Sequence, residues 1–376
     1  MSDEEIYKGL AGVTADETAI SKVMPETNSL TYRGYAVQEL SESASFMETA
    51  YLMWHGELPT QAQLDALKQK EVGYREISPE LIAVIGKFPK DAHPMDTVRT
   101  GVSFLGMEDP DCWDNAPEKN LEKSIKMLAR IPTIVATDYR FRKGLERIAP
   151  RGDLGYAENF FNMCFGEVPE AEVLRCFDVS MILYAEHSFN ASTFTARTII
   201  SSLADIYGAV TGAIASLKGP LHGGANEAVM HMLLEVGSPD KAQAWIDDAL
   251  ENKKVVMGFG HRVYRKGDSR VPTMHQAFLD MAKIKGGEDW VRIEEIVEKT
   301  MVEKKGIYPN LDYPTGPAYY MMGFDIDLFT PLFVMSRITG WTAHIIEQLD
   351  GNKLIRPLSA YNGVPQRAVK PISERG

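Results

Sequence analysis

The sequence has few cysteines and no cysteine pattern. Among its 376 residues only Cys112, Cys164 and Cys176 carry thiols, and no CxxC pair occurs. An odd and sparse set does not form a disulfide framework, and cysteine-based zinc sites use closely spaced pairs. We therefore expect three unpaired thiols with packing roles.

Long apolar runs and excess positive charge are also absent. No stretch approaches the roughly 20 apolar residues of a membrane span, and the acidic start MSDEEIYKGL lacks the features of a secretory signal. These absences favour a cytoplasmic protein. The net charge of −12 disfavours nonspecific binding to nucleic acid or anionic membranes. An anionic substrate is still possible if arginines gather in one pocket.

Several common catalytic signatures are missing. The run GFGHRV has Val263 where a GxGxxG dinucleotide loop needs its third glycine. No GxxxxGKS or GxxxxGKT phosphate loop, HExxH zinc motif or GxSxG nucleophile turn occurs. A metal site made from His187, His222, His261 and Asp312 is conceivable, although their long separations give it no support.

Helical periodicity dominates the chain, which is long enough for two domains. We predict a mainly α protein. One helix is expected from an N-cap at Thr330, followed by proline, to about Leu349, with Val334, Ile338, Trp341 and Ile345 on one apolar face. Further helices are expected from Ser238-Pro239, from Asn190 to about Ala204, and from Pro94. The glycines, threonines and valines of GLAGVTADETAISKV indicate a small β element near the N-terminus.

Loops are predicted where glycine, proline and aspartate collect. They are Met107 to Pro117, Ile148 to Gly155, Lys218 to Gly224, Gly258 to Pro272, and Gly306 to Pro317. The last three contain His222, His261 and Asp312. After Ile355 the chain has three prolines and no core of its own, so it is either disordered or laid against another surface.

Four of the eight histidines lie in unusual surroundings. His222 in GPLHGGANEA and His261 in GFGHRVYRKGDSR adjoin glycines, which let a ligand approach the backbone closely. His187 lies in YAEHSFNASTF, and His344 lies inside the predicted late helix, where packing is the simpler interpretation. For His222 and His261 a functional and a packing role are equally open at this point.

Arginines form a second group of candidates. They are Arg262, Arg265 and Arg270 near His261, Arg337 on the late helix, and Arg356 at the start of the tail. A guanidinium binds a carboxylate through two parallel hydrogen bonds, so converging arginines suit a dicarboxylate or a phosphate. Asp312 lies between two prolines in PNLDYPTGP, a setting that by itself indicates a turn residue.

Taken in order, these motifs resemble the citrate synthase family. GPLHGGANEA, GFGHRVYRKGDSR, PNLDYPTGP and FTPLFVMSRITGWTAHIIEQ carry the resemblance, together with GLAGVTADETAISKV and LTYRGYAVQEL. The similarity covers nearly the whole chain. It is closest to the short bacterial branch that contains 2-methylcitrate synthases.

The resemblance implies a division of catalytic roles. Asp312 would remove a proton from the carbon next to the thioester of an acyl-CoA. His222 would support the enol at the thioester oxygen, while His261 would polarise the keto group of oxaloacetate and protonate the resulting alkoxide. Water would then hydrolyse the thioester. A weak carbon acid needs both a base and a donor on its oxygen, so these residue types are chemically sensible.

The resemblance also implies binding residues. His187, Arg270, Arg337 and Arg356 would hold oxaloacetate, with Arg356 supplied by the partner subunit of a homodimer. The CoA contacts would be Arg265 and the backbone of Val256, Met257, Gly258, Phe259 and Gly260. Acyl-CoA is a co-substrate, and no permanently bound cofactor or metal is expected.

The implied architecture is a large helical domain of residues 1–222 and 325–376 and a smaller helical domain of residues 223–324. Closure of the small domain over oxaloacetate would exclude water, with glycine-rich hinges at 219–224 and 258–260.

Ser269 stands where the family often has proline. The segment from Pro317 to Gly323 is nearer to the methylcitrate branch, so we expect propionyl-CoA to be accepted, with acetyl-CoA also used. The alternatives are a metal-dependent hydrolase and a catalytically silent helical scaffold.

Overall fold

The computed structural model describes residues 6–261 and 267–375, and this part of the chain is mainly helical, as predicted. It contains sixteen α-helices and three short strands. The helices are α1 (Val37–Ser43), α2 (Phe46–His55), α3 (Gln61–Tyr74), α4 (Pro79–Ile85), α5 (Pro94–Glu108), α6 (Pro117–Arg142), α7 (Tyr156–Phe165), α8 (Ala171–Tyr184), α9 (Ala191–Ile200), α10 (Ile206–Leu217), α11 (Ala225–Val236), α12 (Pro239–Glu251), α13 (Val271–Lys285), α14 (Glu288–Lys305), α15 (Asp312–Met321) and α16 (Phe329–Leu349). Among these residues no helix combines the length and apolarity that a bilayer crossing requires.

The three strands form an antiparallel sheet near the N-terminus, which confirms the predicted β element. They are β1 (Ser21–Met24), β2 (Ser29–Tyr32) and β3 (Tyr35–Ala36), in that order across the sheet. The buried Tyr32 hydroxyl donates to the carbonyl oxygen of Glu186 at 3.0 Å and accepts the N–H of the same residue at 3.3 Å. The sheet therefore fixes the segment that follows α8.

Helix α16 ends at the predicted residue but begins earlier than predicted. Its first residue is Phe329, so Thr330 lies inside the helix and the predicted N-cap is wrong. Thr330 uses its hydroxyl and its N–H to donate to Glu227 Oε1 on α11. The prediction of one apolar face also underestimates the burial of this helix. Helix α16 is buried on almost all sides, because it contacts α2, α6, α8, α9 and α10.

Other boundaries show where local sequence signals succeed. Helices α12 and α5 begin at Pro239 and Pro94 as predicted, since proline suits the first turn of a helix. Helix α9 ends at Ile200, and the helix predicted to run to about Ala204 is therefore too long. The predicted loop of residues 306–317 is wrong from Asp312 onward, because α15 begins there and includes Pro314 and Pro317.

Helices α11 to α15 pack as one group. Helix α15 contacts α11 and α13, and α12 contacts α14, while α13 also reaches α8 outside the group. The Tyr313 hydroxyl on α15 donates to the carbonyl oxygen of Glu294 on α14 at 2.9 Å. This group falls within the span predicted for a small domain, and the division into two domains stays a prediction.

Candidate active site

The predicted site residues come from five separate parts of the chain. His187 follows α8, His222 lies in the turn between α10 and α11, and Asp312 is the first residue of α15. His261 and Arg270 lie in the stretch before α13, and Arg337 lies on α16. The contacts described below bring these six residues into one cluster.

Asp312 lies at the N-terminus of α15 and accepts a hydrogen bond from the hydroxyl of Tyr184. The distance from Tyr184 Oη to Asp312 Oδ1 is 2.6 Å. Burial raises the pKa of Asp312 to about 6, although the Tyr184 hydrogen bond and the positive charge of Arg270 act in the opposite direction. The carboxylate is therefore ionised at neutral pH yet basic enough to accept a proton.

His222 lies in the glycine-rich turn, held against the first turn of α9. Its Nε2 lies 2.8 Å from Ser192 Oγ and 3.3 Å from the Ser192 N–H. Ser192 Oγ in turn accepts the indole N–H of Trp341 at 3.0 Å. Because the main-chain N–H of Ser192 is directed at Nε2, we assign the ring proton to Nδ1. Burial lowers the pKa of His222 to about 4, so the ring is neutral at pH 7.

His261 and His187 lie edge to face, with ring centroids 5.0 Å apart. Burial and the positive charge of Arg270 lower the pKa of His261 to about 4. The same two causes, burial first, hold the pKa of His187 well below its usual value. Both rings are therefore neutral at pH 7, so they can donate hydrogen bonds without adding positive charge.

Arg270 is held in a bidentate ion pair by Asp268. Its Nε donates to Oδ1 at 2.9 Å and its Nη2 donates to Oδ2 at 2.7 Å. The same Oδ2 accepts the N–H of Leu311, next to Asp312, at 3.3 Å. Charge attraction from Arg270 offsets the burial of Asp268 and holds the pKa of that carboxyl well below its usual range. The pair thus links one predicted oxaloacetate ligand to the start of α15.

Arg337 is buried between α16 and the end of α8. Its Nε donates to the carbonyl oxygen of Tyr184 at 2.6 Å, and its guanidinium lies 4.7 Å from the centroid of Phe333. Burial lowers the pKa of Arg337 to about 10, so it stays charged at neutral pH. Within the described residues Nη1 has no hydrogen-bond partner. A buried guanidinium with an unused donor suits an anionic ligand.

Arg356 is not brought to the cluster by its own chain. It is exposed, and the tail before it is fixed at the far end of α9, where the Ile355 N–H donates to Ser201 Oγ at 3.0 Å. Ser192, which contacts His222, lies nine residues earlier on the same helix. A helix rises about 1.5 Å per residue, which separates the two ends by about 13 Å.

The predicted CoA loop, Val256 to Gly260, is paired with the segment that leads into α15. The Gly260 N–H donates to the Tyr308 carbonyl at 2.9 Å, and the Asn310 N–H donates to the Gly258 carbonyl at 2.8 Å. Gly258 has a φ of +81°, and a Cβ there would approach the Tyr313 ring to 2.8 Å. Arg265 lies outside the described residues.

His344 and the cysteines stand apart from this cluster. His344 is fully buried, with Nε2 at 3.0 Å from Glu186 Oε1 and Nδ1 at 3.1 Å from Arg197 Nη1, in keeping with a packing role. The three cysteines are unpaired. Residues 6–261 and 267–375 contain no group of three or more histidine, cysteine, aspartate or glutamate side chains placed to hold a metal ion.

Sequence reasoning missed three residues of the cluster. They are Tyr184, Ser192 and Asp268. An acidic residue two positions before Arg270 in KGDSR was a usable signal for the ion pair. Tyr184 and Ser192 carry no such signal, because their partners lie 128 and 30 residues away along the chain.

Comparisons with known proteins agree over the full length. The family model described as "Citrate synthase, C-terminal domain" matches residues 9–358. The chain is 59% identical over 364 residues to a citrate synthase of Mycolicibacterium smegmatis, covering 97% of each chain. It is 58% identical over 365 residues to a 2-methylcitrate synthase of Mycobacterium tuberculosis, covering 97% of this chain and 92% of that one.

One solved structure of similar fold is a complex with two ligands. It is a ternary complex of carboxymethyl coenzyme A and oxaloacetate with citrate synthase from the archaeon Thermoplasma acidophilum. The TM-score is 0.91 at 32% identity, and the match covers 99% of this chain and 100% of that chain. The cluster of candidate site residues thus lies in a fold that is similar to that of this citrate synthase along nearly the whole chain.

Proposed function

This chain belongs to the citrate synthase family, and we propose that it condenses an acyl-CoA with oxaloacetate and hydrolyses the thioester. The products are citrate or 2-methylcitrate and free CoA. The observation that carries the proposal is that the Asp312 carboxylate, three neutral histidines and two buried arginines lie in one cluster. His222 joins it through Phe333, whose ring centroid lies 6.4 Å from that of His222 and whose ring also contacts Tyr184 and Arg337. Names of relatives include both citrate synthase and 2-methylcitrate synthase.

The first chemical step is removal of a proton from the carbon next to the thioester. Asp312 acts as the base, and its raised pKa of about 6 suits proton transfer near neutral pH. His222 donates from Nδ1 to the thioester oxygen as the enol forms, because Ser192 engages Nε2. A neutral imidazole is a suitable donor here, since it stabilises the enol oxygen without needing to change its own charge.

The second step is attack of the enol on the keto carbon of oxaloacetate. His261 donates to the keto oxygen and supplies the proton that the alkoxide takes up. The ring then regains a proton to replace it, and the proton that Asp312 removed from the acyl-CoA balances the step. Arg270 and Arg337 hold the carboxylates with His187, and the unused Nη1 of Arg337 supports this assignment. Bidentate arginine contacts fix the dicarboxylate so that its keto carbon faces the enol.

The complete site needs movement and a second subunit. Residues 223–324 form a small domain that closes on the remainder, residues 1–222 and 325–376, and Arg356 reaches the site of a partner in a homodimer. The position of Ile355 at the far end of α9 supports this arrangement, because the tail leads away from its own site. Val256 to Gly260 and Arg265 receive the CoA, and propionyl-CoA is accepted alongside acetyl-CoA.

The test is release of CoA thiol in the presence of a thiol-trapping dye. We expect release only when oxaloacetate and an acyl-CoA are both present, with acetyl-CoA and propionyl-CoA assayed side by side. The ratio of their kcat/KM values measures the acyl preference. Absence of thiol release with both acyl-CoAs would refute the proposed function.

A further inference from the structure

The hydroxyl of Tyr184 is the hydrogen-bond donor that engages the Asp312 side chain. Oη to Oδ1 is 2.6 Å, within the range of short hydrogen bonds to a charged oxygen. Within the described residues no other side chain donates to this carboxylate. Among the described residues, the Tyr184 O–H is therefore the side-chain donor that directs the Asp312 carboxylate.

Tyr184 is itself held firmly from two sides. Its side chain is 1% exposed and its ring lies 4.1 Å from that of Phe333, centroid to centroid. Its carbonyl oxygen accepts the Nε of Arg337 at 2.6 Å. One residue thus contacts the acyl-CoA side of the site through its hydroxyl and the oxaloacetate side through its main chain.

The hydroxyl remains a donor throughout the neutral pH range. Burial, and then the negative charge of Asp312, raise the pKa of Tyr184 well above its ordinary value. A protonated phenol donates a stronger hydrogen bond to an ionised carboxylate than to the neutral carboxylic acid, so it favours the basic form of its partner.

Other charged groups also face Asp312. Arg270 from the stretch before α13 and Arg337 from α16 favour the carboxylate, while Asp268 opposes it. Burial opposes it more strongly than any of these, and the balance leaves the pKa at about 6. The Tyr184 hydrogen bond is the largest favourable contribution.

We infer that Tyr184 is a positioning residue that keeps the Asp312 carboxylate ionised and directed for proton removal. The inference rests on the proposed function, in which Asp312 is the base. In this role Tyr184 does not contact the substrate. It acts through two separate hydrogen bonds, one to Asp312 and one to Arg337. The hydroxyl serves the base, and the carbonyl serves Arg337.

The test is Tyr184→Phe, which keeps the ring and the main-chain carbonyl and removes only the O–H. In the pH profile of kcat/KM for the acyl-CoA, we expect the acid limb to move to higher pH by about one to two units. This shift corresponds to the free energy of one hydrogen bond to a charged group. At pH 7 the rate then falls by about two- to tenfold and recovers near pH 9. The KM for oxaloacetate stays within about twofold, because Arg337 keeps its acceptor.

Tyr319→Phe is the matched control. Tyr319 is a buried tyrosine whose hydroxyl donates to Ser180 Oγ at 2.9 Å and makes no hydrogen bond to Asp312. Its removal should leave the acid limb in place. A Tyr184→Phe enzyme that loses rate equally at every pH, or that keeps the acid limb of the parent, overturns the inference.

Two further measurements keep the outcomes separate. If Tyr184→Phe does not fold, 3-fluorotyrosine placed at position 184 strengthens the donor at nearly unchanged size, and the acid limb should move to lower pH. An unmoved limb then counts against the inference. Failure of the proposed function is seen earlier, as absence of CoA release by the parent protein or full activity of Asp312→Asn.

Discussion

Gly340 on α16 is the position at which we expect one methyl group to disturb both stability and substrate binding. A Cβ at this residue would lie well inside van der Waals distance of Glu186 Oε2 and of the Ala185 carbonyl oxygen. Ordinary carbon–oxygen contacts are about 3.3 Å or longer, so the segment after α8 would have to retreat by about 1 Å. A backbone carbonyl cannot rotate away as a side chain can.

The expected size of the effect follows from two opposing contributions. Alanine favours a helix over glycine by about 1 kcal/mol. Overpacking of a buried site costs about 1 to 3 kcal/mol, and the upper end applies where backbone must move. Gly340→Ala should therefore lower the free energy of unfolding by about 2 kcal/mol.

Gly73→Ala on α3 is the matched control, because nothing lies within 4 Å of the Cβ it would carry. It should stabilise the protein by up to about 1 kcal/mol. Urea unfolding followed by circular dichroism, at one fixed protein concentration, compares the midpoints. Gly340→Ala should also raise the KM for oxaloacetate, because Arg337 lies one turn earlier on α16. If Gly340→Ala unfolds at the same urea concentration as the parent while Gly73→Ala behaves as expected, the packing argument is refuted.

Three further outcomes can be measured with the same thiol assay. Asp312→Asn should lower kcat by about 10²- to 10⁴-fold, the usual worth of a general base, while oxaloacetate binding by calorimetry is retained. Asp268→Asn should raise the KM for oxaloacetate by tenfold or more, since it breaks the ion pair that orients Arg270, and an unchanged KM would contradict this. Mixing inactive Arg356→Ala with inactive Asp312→Ala should restore part of the activity in heterodimers, unless each subunit completes its own site.

Local sequence signals predicted parts of the fold well. The starts of α12 and α5 at Pro239 and Pro94 were predictable because proline costs a helix nothing in its first turn. The start of α16 was not, because Thr330 donates to Glu227 on another helix and does not cap its own. The local sequence indicates a turn at Asp312 for a similar reason, since prolines usually mark helix ends, whereas Pro314 and Pro317 lie inside α15.

The candidate site was predictable to a different degree. Glycines beside His222 and His261 indicated that a ligand could approach these two histidines closely. The catalytic role of each histidine was implied by the family resemblance and is still a prediction. The Tyr184 hydroxyl was beyond sequence reasoning, because its contact with Asp312 is created only when α8 and α15 meet. The mainly α class was recoverable, whereas contacts between distant helices were not.

The pairing between residues 258–260 and 308–310 has a consequence for substitutions between them. These main-chain hydrogen bonds join the two ends of a segment that contains α13 and α14. We call this pairing the neck. His261 lies just inside one side of the neck and Asp312 lies two residues beyond the other. Because backbone atoms form the neck, we expect substitutions on the exposed faces of α13 and α14 to leave the spacing of His261 and Asp312 unchanged.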